Sequence, residues 1–366
     1  MRRHAAAAAA IVSAVVIADG AAANDGSASL FVRGDSDSTV VIAPRAGARV
    51  ELGDIGTTID AAYSADIWTS ASIDVRTAAT VPITEQRDQL DFALTHEMQD
   101  VTLGASYYFS GENDYWSNGF TLRSVQELAS GSTTIEESLR YVHDIVGRAG
   151  DPTFSRALDT VGARLVLTQV LSPEAIVQAV WEGAYRNGYQ SSPYRYVGLG
   201  GDGQCGGTAI LCIPEAHPET RIRNAFVVQG RYALSRDASV GLGYRFYVDD
   251  WGVLSHTGIA QFGWIPARGQ LVMLRYRFYT QSAAAFYMSR YPLPDGQINF
   301  VTRDRELTAM FGNRVALSYE GRAALSTDVA LRVAIALGGT VFVYQDFPGL
   351  TEVYAGDATV AFTLEL

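Results

Sequence analysis

The stretch "ASVGLGYRFYV", residues 238–248, decides the fold. Successive side chains of an extended strand point to opposite faces. Val240, Leu242, Tyr244, Phe246 and Val248 therefore share one face, and Gly241, Gly243, Arg245 and Tyr247 the other. The first face is wholly apolar, and the second carries a permanent charge. A soluble sheet buries its apolar face against protein. A transmembrane barrel turns that face to lipid and keeps Arg245 in a wet interior.

The same alternation recurs along the chain. In 353–366, Val360, Phe362, Leu364 and Leu366 oppose Ala361, Thr363 and Glu365. In 57–68, Ile59, Ala61, Tyr63 and Ile67 oppose Asp60, Ser64 and Asp66. Fourteen such segments run from 57–68 to 353–366, each bounded by Gly, Pro, Asp, Asn or Ser. They average about a dozen residues, enough for a tilted strand to cross a bilayer. Their connections alternate short (98–99, 130–132, 172–173) and long (110–118, 187–221, 282–303), with 250–252 as the exception. Short periplasmic turns and longer outer loops are the habit of outer-membrane barrels.

The expected fold is thus all-β, an up-and-down antiparallel transmembrane barrel of about fourteen strands over 56–366. Segment 24–37 reads as a polar periplasmic lead. A weaker strand at 40–52, within 24–55, would raise the count to sixteen if it had a partner in 71–80. At the N-terminus, Arg2 and Arg3 precede an apolar run, Ala5 to Ile17, and a small-residue site, Ala21 to Ala23. That pattern predicts a signal peptide over 1–23 and export to the outer membrane of a Gram-negative bacterium. The later apolar run Val333 to Tyr344 is too short for a membrane helix and contains Gly338 and Gly339.

The formal charge is −11, and −12 once Arg2, Arg3 and Asp19 are removed, which argues against nucleic acid as a partner. Lysine is absent, so every cation other than histidine is arginine. Cys205 and Cys212, in an oxidising compartment, read as a small disulfide loop. No motif calls for a metal or a cofactor. The expected partners are membrane lipid and small solutes or ions.

The polar faces carry Asp60, Asp66, Asp91, Arg164, Glu182, Arg231, Arg245, Arg275, Arg277 and Arg332. A charge facing lipid at the midplane costs about 2–4 kcal/mol, so this set is expected to line the lumen. Asp60, Asp66, Asp91 and Glu97 are expected to pair with lumenal arginines such as Arg123 and Arg332. Trp68, Tyr107 and Phe109 are expected in an aromatic belt at one rim, Trp264 and Phe362 at the other.

The stretches "QVLSPEAIVQAVWEGAYRNGYQSSPYRYV" (169–197), "YRFYVDDWGVLSHT" (244–257) and "YRFYTQSAAAFY" (276–287) resemble a family of outer-membrane proteins, domain of unknown function thirty-five-seventy. "WTSASIDVRTAATVPITEQRDQLDF" (68–92) and "SGENDYWS" (110–117) resemble its N-terminal marks. The resemblance runs from about Val40 to the end. It implies a barrel and export, and no activity.

The cluster closest to catalytic chemistry is Asp249, Asp250, Ser255 and His256, an acid, nucleophile and base within eight residues. The plainer reading is a tight turn, with Asp250 and Ser255 bonded to backbone and His256 forming lumen wall. "GGDGQCGG" (200–207) reads as a mobile loop. The leading functional expectation is a passive pore or small-solute transporter with a charged lumen. The alternatives are a rim hydrolase using Ser255, His256 and Asp250, and a closed structural or adhesion barrel.

Overall fold

The computed structural model describes residues 24–70 and 83–366, apart from 294 and 297. Among them, sixteen strands close into one antiparallel barrel. They are β1 (Asn24–Asp35), β2 (Thr39–Glu51), β3 (Thr57–Ser70), β4 (Ile83–Met98), β5 (Val101–Gly111), β6 (Tyr115–Leu128), β7 (Thr133–Gly147), β8 (Ser155–Ser172), β9 (Ala175–Gly188), β12 (Thr220–Ala233), β13 (Ala238–Asp249), β14 (Leu254–Trp264), β15 (Gln270–Gln281), β16 (Met310–Ala324), β17 (Ala330–Tyr344) and β18 (Glu352–Glu365). β10 (Tyr196–Leu199) and β11 (Leu211–Pro214) form a separate hairpin between β9 and β12. β1 seals the barrel against β18, from Asp25 opposite Glu365 to Asp35 opposite Ala355.

The lead expected over 24–37 is instead mostly β1. Its Gly and Ser content hid a strand whose Leu30 and Val32 face out. The expected weak strand at 40–52 is β2, and β1 pairs with it to bring the count to sixteen; the partner expected in 71–80 and the expected signal peptide 1–23 lie outside the described residues. The strand expected from 304 starts at Met310, because Arg305–Leu307 form a 3-10 turn that the Asp304 side chain caps.

Barrel strands place their large apolar side chains outward. Leu242 is 71% exposed and Val228 64%, and comparable residues ring the wall. A continuous apolar surface of this extent far exceeds the few hundred Å² that soluble monomers show. A closed barrel also satisfies its backbone internally, as a lipid environment demands. Tyr107 and Phe109 stand on the outer face near the long-loop end, Trp264 and Phe362 on the outer face near the short-turn end. Trp68 shares the parity of Asp60 and Asp66, so it faces the lumen and belongs to no belt.

The buried apolar clusters lie at the long-loop end. One joins Val197, Leu199, Tyr291 and Val301; a second joins Trp251, Val253, Ala284 and Leu307. Gly188 marks the departure of the chain from β9 into that end. Its φ is +129°, and a Cβ there would stand 2.3 Å from the Ala157 carbonyl oxygen. Gly188→Ala is expected to cost about 1–3 kcal/mol, from strain plus the clash. The check is the urea midpoint of the vesicle-folded barrel, which should fall.

Candidate functional site: a roofed vestibule

Two long connections, 189–219 and 282–309, interlock over one mouth of the barrel. Ala216 and Val301 exchange backbone hydrogen bonds, and the amide of Gly200 donates to the Tyr291 carbonyl. The Tyr291 hydroxyl accepts from the amide of Thr302 at 3.0 Å and donates to the Phe286 carbonyl at 2.8 Å. Val197, Leu199 and Val301 are fully buried between the two connections. Each such side chain contributes about 1.5–3 kcal/mol.

Glu215 is the polar centre of this roof. Its side chain is fully buried. Oε1 accepts from Thr302 Oγ1 at 2.7 Å and from the Arg303 amide at 3.1 Å. Oε2 accepts from the Ser192 amide at 2.9 Å and from Arg195 Nη1 at 3.1 Å. Burial works against its ionisation. The nearby His217, whose Nε2 is 3.4 Å from Oε1, the charge of Arg195 and the Ser192 amide more than offset this, and hold the carboxyl at about 2. The roof is tied to three other connections: Arg305 pairs with Asp37 at 2.6 Å, Tyr287 donates to the Asp346 carbonyl at 2.7 Å, and the Ala149 amide donates to Tyr194.

Beneath the roof lies a cavity of about 600 Å³. Arg186, Arg221, Arg223, Arg245, Tyr247 and Tyr279 line it from the barrel wall, and His217, Asp304, Arg305 and Glu306 from the roof. It shares Arg245, Tyr279, Met310 and Phe342 with a second cavity of about 380 Å³ that reaches Arg277. That one shares Gln229, Gly243 and Ile259 with a third, of about 300 Å³, that reaches Thr168, Gln178, Arg231 and Arg275. The three descend one wall, from the roof toward the short-turn end.

The ten charges singled out in the sequence all have inward parity in the register. Arg245 pairs with Glu182 at 3.1 Å, and Arg164 with Glu182 at 3.5 Å and with Glu136 at 2.5 Å. Asp60 and Asp91 pair with Arg49 (2.7 Å) and Arg45 (4.0 Å) of β2, not with Arg123 or Arg332. Those two bind Glu136 at 2.8 Å and Glu365 at 2.6 Å. Asp66 stands opposite Arg87, which itself binds Glu112 at 2.8 Å.

The hydrolase candidates do not meet. Ser255 and His256 are consecutive in β14 and point to opposite faces. Ser255 is buried on the inner side. His256 is on the outer face, not on the lumen wall, with its Nδ1 2.6 Å from the Tyr244 hydroxyl. Asp250 accepts from the Ile222 amide at 2.9 Å. Cys205 and Cys212 are bonded to each other. The glycine-rich 200–207 lies at the tip of the β10–β11 hairpin. Its Asp202 carboxylate accepts from the amides of Gln204 and Thr208, both at 3.0 Å. Among the described residues no group of three or more His, Cys, Asp or Glu is placed to hold a metal.

A family described as "Protein of unknown function (DUF3570)" matches residues 31–158 and 152–335, most of the chain. The chain belongs to this family. The matched part of this DUF3570 protein includes the vestibule arginines and the roof hub Glu215. No curated protein matches the sequence. Among solved structures it is similar to CdiB from Acinetobacter baumannii, at 9% identity and a TM-score of 0.51, covering 93% of this chain and 60% of that one. It is also similar to a loop L8 deletion mutant of OmpT, an outer membrane protein of Vibrio cholerae: 11% identity, TM-score 0.46, 95% of this chain and 100% of that one. OprD from Pseudomonas aeruginosa gives 9% identity and a TM-score of 0.46, over 96% of this chain and 97% of that one. At such identities the likeness to CdiB shows the barrel fold alone.

Sequence reasoning did not single out Glu215, Arg186, Arg221 or Arg223 as site residues. The three arginines had a usable signal. Arg221 and Arg223 alternate with Ile222 and Asn224 at the start of a strand, on the parity of Arg231. Glu215 had none, because its partners Thr302 and Arg303 are 87 and 88 residues away.

Proposed function

We propose that this protein is a solute-conducting barrel of a Gram-negative outer membrane, exported by a signal peptide over 1–23, with its long connections outside. Small hydrophilic solutes pass along the charged lumen when the roof of 189–219 and 282–309 gives way. The observation that supports this most is the chain of three cavities running from roof to short-turn end along one wall. A sixteen-stranded barrel is wide enough to leave an aqueous channel, and polar residues line this one.

Stepwise conductance in a planar bilayer is the test. Mature protein, refolded and verified as folded, should give discrete current steps in potassium chloride. Folded protein that inserts and never conducts would instead be a closed structural barrel. Glu215→Gln, which removes the charge that joins the two connections, should raise the fraction of time spent open.

A further inference from the structure

We propose that the vestibule holds a binding site for a small organic oxyanion, a solute carrying a carboxylate or phosphate, built by Arg186, Arg221 and Arg223. This rests on the conducting-barrel reading and names the solute class.

Arg186 of β9 and Arg221 of β12 are directly opposite in the ladder, and Arg223 is the next inward residue. Like charges set opposite one another destabilise a sheet. A barrel with no use for them has every reason to place a carboxylate between them. One acid does stand close. Asp249 accepts from Arg221 Nε at 2.9 Å and from the Tyr247 hydroxyl at 2.7 Å. Arg223 donates from Nε to the phenol oxygen of Tyr247, at 3.1 Å. Among the described residues, Arg186 and Arg223 have no carboxylate within 4.0 Å. Asp144, whose charge also acts on Arg186, accepts a hydrogen bond from Ser117.

The acids on the other side of the cavity do not cancel this surplus. Asp304 stands 3.3 Å from Arg195, and the Asp35 carboxylate accepts from the amides of Asp37 and Thr39, both at 3.0 Å. Burial, with Asp304 beside it, pushes the Glu306 carboxyl above the usual carboxylate range. Two guanidinium forks with open donors suit an oxyanion, which takes paired N–H groups in one plane. The third arginine is held in place: the Arg221 guanidinium lies 4.1 Å from the centre of the Trp251 ring. The cavity volume of about 600 Å³ falls in the range of small-molecule sites, and Trp251, Tyr247 and Tyr279 give it apolar surface for an organic body.

The test uses inorganic phosphate and benzoate on the full-length mature protein, by calorimetry in detergent and by block of chloride current in bilayers. Wild type should bind at least one of them and lose chloride current as it is added. Arg186→Gln with Arg223→Gln should weaken binding at least tenfold and relieve the block, while heat-shifted gel mobility shows the barrel still folded. Removing opposed like charges should not harm folding. Arg231→Gln, on the short-turn side, should bind as wild type does. Neither probe binding to wild type, or the double variant binding unchanged, overturns the site. Binding without any conductance keeps the site and overturns the conducting reading.

Discussion

Leu242→Arg should cost about 2–4 kcal/mol of barrel stability in lipid, while Gly243→Ser, one residue on, should change it by well under 1 kcal/mol. Leu242 is 71% exposed on the outer face, near the middle of β13. At the midplane a guanidinium on the lipid side brings that penalty, because hydrocarbon cannot solvate it. Gly243 faces the lumen, where a Cβ would stand 3.4 Å from Gln229 Cβ, an ordinary contact, and a hydroxyl can be hydrated. Urea titration of the two variants folded into lipid vesicles measures both. Equal effects would mean that the two faces meet the same solvent.

Glu215→Ala should detach the roof without unfolding the barrel. It leaves the Ser192 and Arg303 amides, the Thr302 hydroxyl and part of the Arg195 guanidinium without their acceptor in a dry setting. Removing one partner of a buried ion pair costs about 3–5 kcal/mol. Hydrogen exchange should then speed up by orders of magnitude at Val197, Leu199 and Val301 and stay slow in β13. The roof should also be acid-sensitive in one direction. The carboxyl titrates at about 2 in the folded state against an ordinary 4.5. A depressed folded value means that the stabilisation is complete above 4.5 and fades as pH falls toward 2. Roof exchange should accelerate over that window in the wild type and lose most of that dependence in Glu215→Gln.

The faces of the strands were legible in the sequence because a period of two needs only a few residues to show itself. Arg245, Arg277 and Arg332 each sit between apolar neighbours, and the register puts each on the inner side. β1 was missed because its apolar face is only Ala28, Leu30 and Val32, amid Gly, Ser and Asp, and its place is fixed by β18 at the far end of the chain. The parity rule that sets Arg245 apart from Tyr244 also separates Ser255 from His256, and strand periodicity alone is enough to dissolve the hydrolase cluster. The roof was not legible. Glu215 follows a proline in a connection without periodicity, and two of the groups that hold it, Thr302 and Arg303, come from the other long connection. Pairing partners were equally hidden: Asp60 is bonded to Arg49 because β2 lies beside β3, which depended on finding β1 and β2 as barrel strands.

The most direct measurement places nitroxide labels at Leu242→Cys and Gly243→Cys, attached after folding with the Cys205–Cys212 bond intact, in vesicle-inserted protein. Relaxation by oxygen, which concentrates in acyl chains, should dominate at 242. Relaxation by a water-soluble nickel chelate should dominate at 243. Strong nickel access at both positions would contradict a lipid-facing wall and a wet lumen.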